Sequence, residues 1–185
     1  MRTLASVGVI SIFLINLSIA QAPSGARTID ISSVDIQTMI ESGSGGPMKS
    51  INAGEHTVFA WLTTRSQSSG VTRGELHTQM TEVYYVLEGS GTLNTGGTMP
   101  SPRKMQVTSN LPGTEDVPTF STPTYIGTAE GGVVRKISAG DVIVIPPGTV
   151  HFFESIETPS FRYINLRIDP QHNLHAPYVN PLLIN

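Results

Sequence analysis

The chain contains no cysteine. Disulfides therefore cannot hold it together, and both thiolate nucleophiles and sulfur-ligated zinc are excluded. Charge is also scarce: only 14% of the 185 residues are Asp, Glu, Lys or Arg, and the net charge is −3. The eleven Lys and Arg residues are scattered, so no basic stripe exists to follow a phosphate backbone, and nucleic acid is not an expected partner. Nucleophile elbows of the Gly-x-Ser-x-Gly type are missing, as are phosphate-binding glycine loops. The run Gly89 to Thr92 (GSGT) lacks the following helix and lysine that a nucleotide loop requires and reads as a β-turn.

Long apolar runs are absent after the first 22 residues. Those 22 read as a secretory signal: Arg2 supplies the positive start, LASVGVISIFLINLSIA (4–20) the apolar stretch, and Ala20-Gln21-Ala22 the small-x-small cleavage pattern. The mature chain is expected to begin near Pro23, to be secreted or periplasmic, and to have no membrane segment once cleaved. The alternative reading is an uncleaved anchor, because Leu4 to Ala20 is close to spanning length; Ser6, Ser11, Asn16 and Ser18 dilute it.

The length suits one domain with its own core. We expect an N-terminal arm and short helix over 23–55, a barrel over 56–170 and a C-terminal tail over 171–185. Ser32 or Ser33 caps the helix, Val34, Ile36, Met39 and Ile40 form its apolar face, and Gly43 ends it. GSGGP then breaks the chain. Short apolar runs bounded by Gly and Pro follow at 56–63, 82–88, 91–95, 133–137, 141–145, 150–155 and 161–168, a pattern that indicates an all-β barrel or sandwich. Residues 97–132, rich in Pro, Thr, Ser and Gly, read as an inserted loop.

Two segments carry chemistry: GELHTQMTEVYYVLEG (74–89) and GDVIVIPPGTVH (140–151). Glu75 and His77 are two apart in a strand and so share a face. Glu82 opens the next strand and His151 a later one, which brings His77, Glu82, His151 and Glu75 within reach of one divalent metal. Buried carboxylates need such a partner, since leaving them unpaired in a barrel interior is costly. The alternative is that they pair with the imidazoles and no metal is bound. Gln79 is a fallback ligand if the alternation continues past His77.

These two segments resemble the motifs of the cupins, the small double-stranded β-helix or jelly-roll barrels. Glu75-x-His77-x4-Glu82-x6-Gly89 falls on the first motif from its second histidine onward, and Gly140-x5-Pro146-Pro147-Gly148-x2-His151 on the second. Glu75 occupies the place of the first motif histidine, and Ser155 that of the closing asparagine. The resemblance covers about 56–168. It implies metal ligation by His77, Glu82 and His151, a small-molecule substrate and a homodimer.

Donors of this kind accept Mn²⁺, Fe²⁺, Zn²⁺ or Ni²⁺. A second carboxylate in the set neutralises the dication and makes simple carboxylates such as oxalate less favoured substrates. Glu75 is either a fourth ligand or a general base, and Tyr84 is a second catalytic candidate. Val86 and Phe153 line the same cavity by alternation, with Trp61 and Tyr163 as weaker lining candidates. Arg162 and Arg167 belong to a solvated strand face or meet a substrate carboxylate. His56, His172 and His175 lack a metal-ligand arrangement. The chemistry expected is that of a dioxygenase or oxidase, then an isomerase or lyase, then a decarboxylase. The rival is a non-catalytic module that binds a sugar or other small ligand.

Overall fold

The computed structural model describes residues 28–43, 45–105 and 122–184. The proposed signal segment lies outside them. The first element is a helix, α1 (Ser33–Glu41). Ser32 Oγ accepts the backbone N–H of Asp35 while the Asp35 carboxylate accepts that of Ser32, a reciprocal cap that satisfies two otherwise orphaned donors. Its inward residue is Met39, which packs with Met48, Ala60, Leu62 and Ile164. Val34, expected on that face, is exposed. Ile36 and Ile40 pack beside Met39 against the sheet, and Val34 falls off that face.

Eleven strands follow among the described residues: β1 (Gly46–Asn52), β2 (Thr57–Ser68), β3 (Arg73–His77), β4 (Thr81–Glu88), β5 (Ser90–Thr95), β6 (Arg103–Lys104), β7 (Thr124–Thr128), β8 (Val133–Ser138), β9 (Val142–Ile145), β10 (His151–Asp169) and β11 (Tyr178–Val179). All described pairings are antiparallel. The result is the all-β barrel that the spacing of apolar runs indicates, in the jelly-roll form that the motif resemblance implies. No described helix is long and apolar enough to cross a membrane.

Long strand β10 organises the barrel. Its first part pairs with β5 and meets β3 at His151, and its second part pairs with both β2 and β4. The two runs 150–155 and 161–168 are therefore one strand. The apparent gap between them is a register shift between Ile156 and Ser160, where Pro159 falls. Strand β2 serves two cores. Phe59 and Trp61 belong with Met80, Leu174 and Tyr178, whereas Ala60 and Leu62 lie beneath α1.

Two expectations need correction. GPMKSIN (46–52) is strand β1 and not a continuation of the breaker: Gly46 takes a φ of 141° and the chain then pairs with β2. Residues 97–132 are not one loop, because β6 and β7 fall inside them and β7 pairs with β3 along its whole length; positions 106–121 are outside the described residues. In the tail, Leu182 and Ile184 are exposed, while Leu183 packs near α1. Leu174 and Tyr178 make the buried contacts instead, and β11 extends the sheet beside β1.

Candidate metal centre

Strand alternation supplies the site. On β4, Glu82, Tyr84 and Val86 are buried while Tyr85 between them is exposed. On β3, Arg73, Glu75 and His77 are two apart. The chain reaches His151 through the turn Pro146–Thr149, where the N–H of Gly148, at φ 79°, donates to the His77 carbonyl at 2.7 Å. The second sequence motif thus clamps the first.

The four expected groups converge. The imidazole centroids of His77 and His151 are 5.6 Å apart. Ligand atoms of Glu75, His77 and His151 lie within 4.8 Å of one another. Glu82 Oε2 is 3.0 Å from His151 Nε2 and 3.6 Å from His77 Nε2, and Glu75 Oε1 is 3.5 Å from His151 Nε2. His77, Glu82 and His151 are at most 5% exposed, whereas the Glu75 side chain is 33% exposed and faces a cavity.

Both imidazoles have their outer nitrogen committed. Thr124 Oγ1 donates to the Thr122 carbonyl at 2.9 Å, so it can only accept the Nδ1–H of His77, 2.7 Å away. His151 Nδ1 donates to the Thr149 carbonyl at 3.0 Å. Each Nε2 is thereby turned into the site, and neither forms a hydrogen bond there. Two buried, inward-facing Nε2 atoms beside two carboxylates make a donor set that fits a divalent cation, with His151 giving up the proton it holds in the cation's absence.

Electrostatics agree with that reading. Burial alone would raise Glu82 and Glu75, but the facing histidines outweigh it, holding Glu82 well below the carboxylate range and Glu75 at about 2. Burial also lowers His77. On His151 the two carboxylates overcome burial and lift the imidazole to about 10, so without a cation Nε2 holds a proton between them.

Glu82 is held from every side. Tyr84 Oη donates to Oε2 at 3.1 Å, Asn165 Nδ2 to Oε1 at 2.5 Å, and Arg167 Nε lies 3.5 Å from Oε1. Tyr84 is fully buried, and burial followed by the Glu82 charge raises its phenol well above the ordinary value, so it acts here as a donor. Arg167 lies under Trp61, 4.8 Å from the ring, rather than on a solvated face. Arg162 does lie outward, paired with Glu88.

Gln79 does not join the site. Strand β3 ends at His77, the alternation stops with it, and the Gln79 amide oxygen accepts from Asn173. The His172 imidazole meets Thr57 Oγ1, and the backbone carbonyl of His175 accepts from Ser50. Val86, Phe153 and Tyr163 belong to the packed interior with Tyr84.

Sequence reasoning missed Thr124, Thr149, Asn165 and Arg65. Asn165 was within reach, because it shares its strand face with Tyr163 and Arg167. Thr124 lies in the stretch read as loop, and no signal marks it. Arg65, at the polar end of β2, lines a cavity of 430 Å³ with Arg73, Glu75, His151 and Phe153.

The cupin sequence profile matches residues 53–181. No curated protein matches the chain. Among solved structures, a Bacillus halodurans protein is 16% identical, with a TM-score of 0.46 over 85% of this chain and 93% of its own. A recombinant oxalate oxidase in complex with glycolate is 13% identical, with a TM-score of 0.37 over 68% of this chain and 50% of that one. Cellulomonas parahominis L-ribose isomerase is 15% identical, with a TM-score of 0.33 over 62% and 49%. The chain thus spans about half the length of the last two.

Proposed function

The chain belongs to the cupin family, and from that premise we propose that it is an exported, metal-dependent enzyme acting on a small organic molecule, with oxidase or dioxygenase chemistry preferred over isomerase, lyase or decarboxylase chemistry. One observation carries this reading: the inward-turned Nε2 atoms of His77 and His151, each fixed by a hydrogen bond at its far nitrogen, facing Glu82 and Glu75. A bound Mn²⁺, Fe²⁺, Zn²⁺ or Ni²⁺ would supply Lewis-acid polarisation of a substrate oxygen or, for a redox-active ion, reaction with O₂.

This chain's own residues do the rest. His77, Glu82 and His151 hold the ion, while Tyr84, Asn165 and Arg167 fix the Glu82 carboxylate so that it need not reorganise. Glu75 is one-third exposed and faces the cavity, where it serves as a fourth ligand or takes a proton from bound substrate. Export is supported by the signal pattern of residues 1–22.

A non-catalytic ligand-binding module is the second reading, favoured by one observation: Glu82 already receives Tyr84 and Asn165 and lies 3.0 Å from His151, whose charged form the two carboxylates favour, so its carboxylate has partners without a cation. Elemental analysis of protein purified without chelator, with its His151→Ala variant and an oxygen-uptake screen, decides between them. Stoichiometric metal lost in the variant, with substrate-dependent turnover, supports the enzyme. A metal-free, unreactive barrel supports the module and overturns the proposal. Mass spectrometry of the secreted N-terminus tests cleavage after Ala22.

A further inference from the structure

Arg65 is the polar feature of the cavity that the metal centre leaves without a role. It projects from the same face of β2 as Trp61, and its neighbours fix it before any ligand arrives. Nε donates to Tyr163 Oη at 3.3 Å, and the guanidinium carbon stands 5.0 Å from the Phe153 ring centroid. Its terminal Nη atoms meet no acceptor among the described residues. A planar fork held by an aromatic ring and a phenol, with its outer N–H groups still open, suits a planar two-oxygen anion.

Position gives the fork its meaning. Arg65 lines the 430 Å³ cavity together with Glu75 and His151, the two members of the metal centre that also line it. Arg73, on the Glu75 face of β3, lines it too. The charge count over the four ligand groups alone gives a neutral centre. Two cavity arginines add positive charge that the four-residue count omits, so an anion is favoured after all. Glu75, in the same cavity, opposes a second negative charge, which selects a carboxylate over a phosphate dianion.

We infer that the substrate is a small organic acid, whose carboxylate is held by the Arg65 guanidinium at one end of the cavity while the remainder reaches the metal centre at Glu75 and His151. The second half rests on the proposed function; the carboxylate site itself does not. Burial of an aromatic-backed ion pair in so small a cavity also limits the ligand to a compact molecule.

Calorimetric titration tests this with pyruvate, succinate and benzoate as probes and benzamide and methyl phosphate as controls, on manganese-loaded and chelator-stripped protein. At least one carboxylate should bind tenfold or more tightly than either control. Arg65→Gln should weaken that binding tenfold or more while leaving metal content and benzamide binding unchanged. Arg65→Lys, which keeps the charge and loses the fork, should fall between; if Arg65→Gln does not fold, Tyr163→Phe, which frees the guanidinium, should weaken carboxylate binding alone. The inference is overturned if no probe carboxylate binds, if benzamide matches benzoate, or if Arg65→Gln binds as the parent does. Carboxylate binding that depends on Arg65 in protein that never loads metal sinks the proposed function and leaves this site standing. Metal loading without carboxylate preference does the reverse.

Discussion

Glu75 and His151 are direct cross-strand partners, and theirs is the register pair that joins β3 to β10. That single pairing brings a carboxylate and an imidazole far apart in sequence to 3.5 Å. Glu75→Gln keeps the shape and removes the charge. We expect it to lower manganese affinity at least tenfold, about 1.4 kcal/mol, as measured by competition with a chelating dye. Unchanged affinity with abolished turnover would instead make Glu75 the base.

Proton and metal compete for His151 Nε2. Without metal, Glu75 and Glu82 outweigh burial and raise this imidazole from 6.5 to about 10. Because the folded value is the higher, its stabilising contribution is complete below pH 6.5 and disappears as pH rises to about 10. The Tm of metal-free protein should fall across that window, while metal-loaded protein, having displaced the proton, holds its Tm. Calorimetry at pH 8 in buffers of different ionisation enthalpy should show about one proton released per metal bound. Release of none contradicts the raised imidazole.

Thr124 fixes the His77 tautomer from outside the site. Thr124→Val should weaken metal binding by about tenfold to a hundredfold, with an unchanged far-ultraviolet dichroism spectrum, and Thr124→Ser should restore it. Equal affinity for Val and Thr would mean the hydroxyl does not set the ring.

Gly89 ends the first motif for a backbone reason. It sits at φ 82° in the tight connection from β4 to β5, and a Cβ there would lie 2.4 Å from the Ser160 carbonyl oxygen. Gly89→Ala should destabilise the barrel by about 3 kcal/mol, lowering Tm by about 6–12 °C. A loss under 2 °C by calorimetry would show that the turn relaxes freely.

The strand pattern and the shared face of Glu75 and His77 could be read from sequence because they rest on local rules, period-2 alternation and the turn residues around Gly89 and Pro146 to Gly148, whereas the joining of Glu82 and His151 to them was legible only through the resemblance to the two cupin motifs. Contacts set by register could not be read. Nothing local shows that Thr124 lies opposite His77 or that Tyr163 reaches Arg65. Gln79 failed because alternation carries no information about where a strand stops, and the single strand β10 read as two because Pro159 marks a shift in register with the signal of a break. Arg65 was hidden by its polar neighbours Thr63, Thr64, Ser66 and Ser68, which resemble a solvated edge.

Strand β2 faces two interiors, with Phe59 and Trp61 on one side and Ala60 and Leu62 on the other. Alternate codons of one short segment therefore encode separable traits. A library randomised at 59 and 61 would vary the core shared with Met80, Leu174 and Tyr178 and spare the helix seat, whereas one at 60 and 62 would do the opposite.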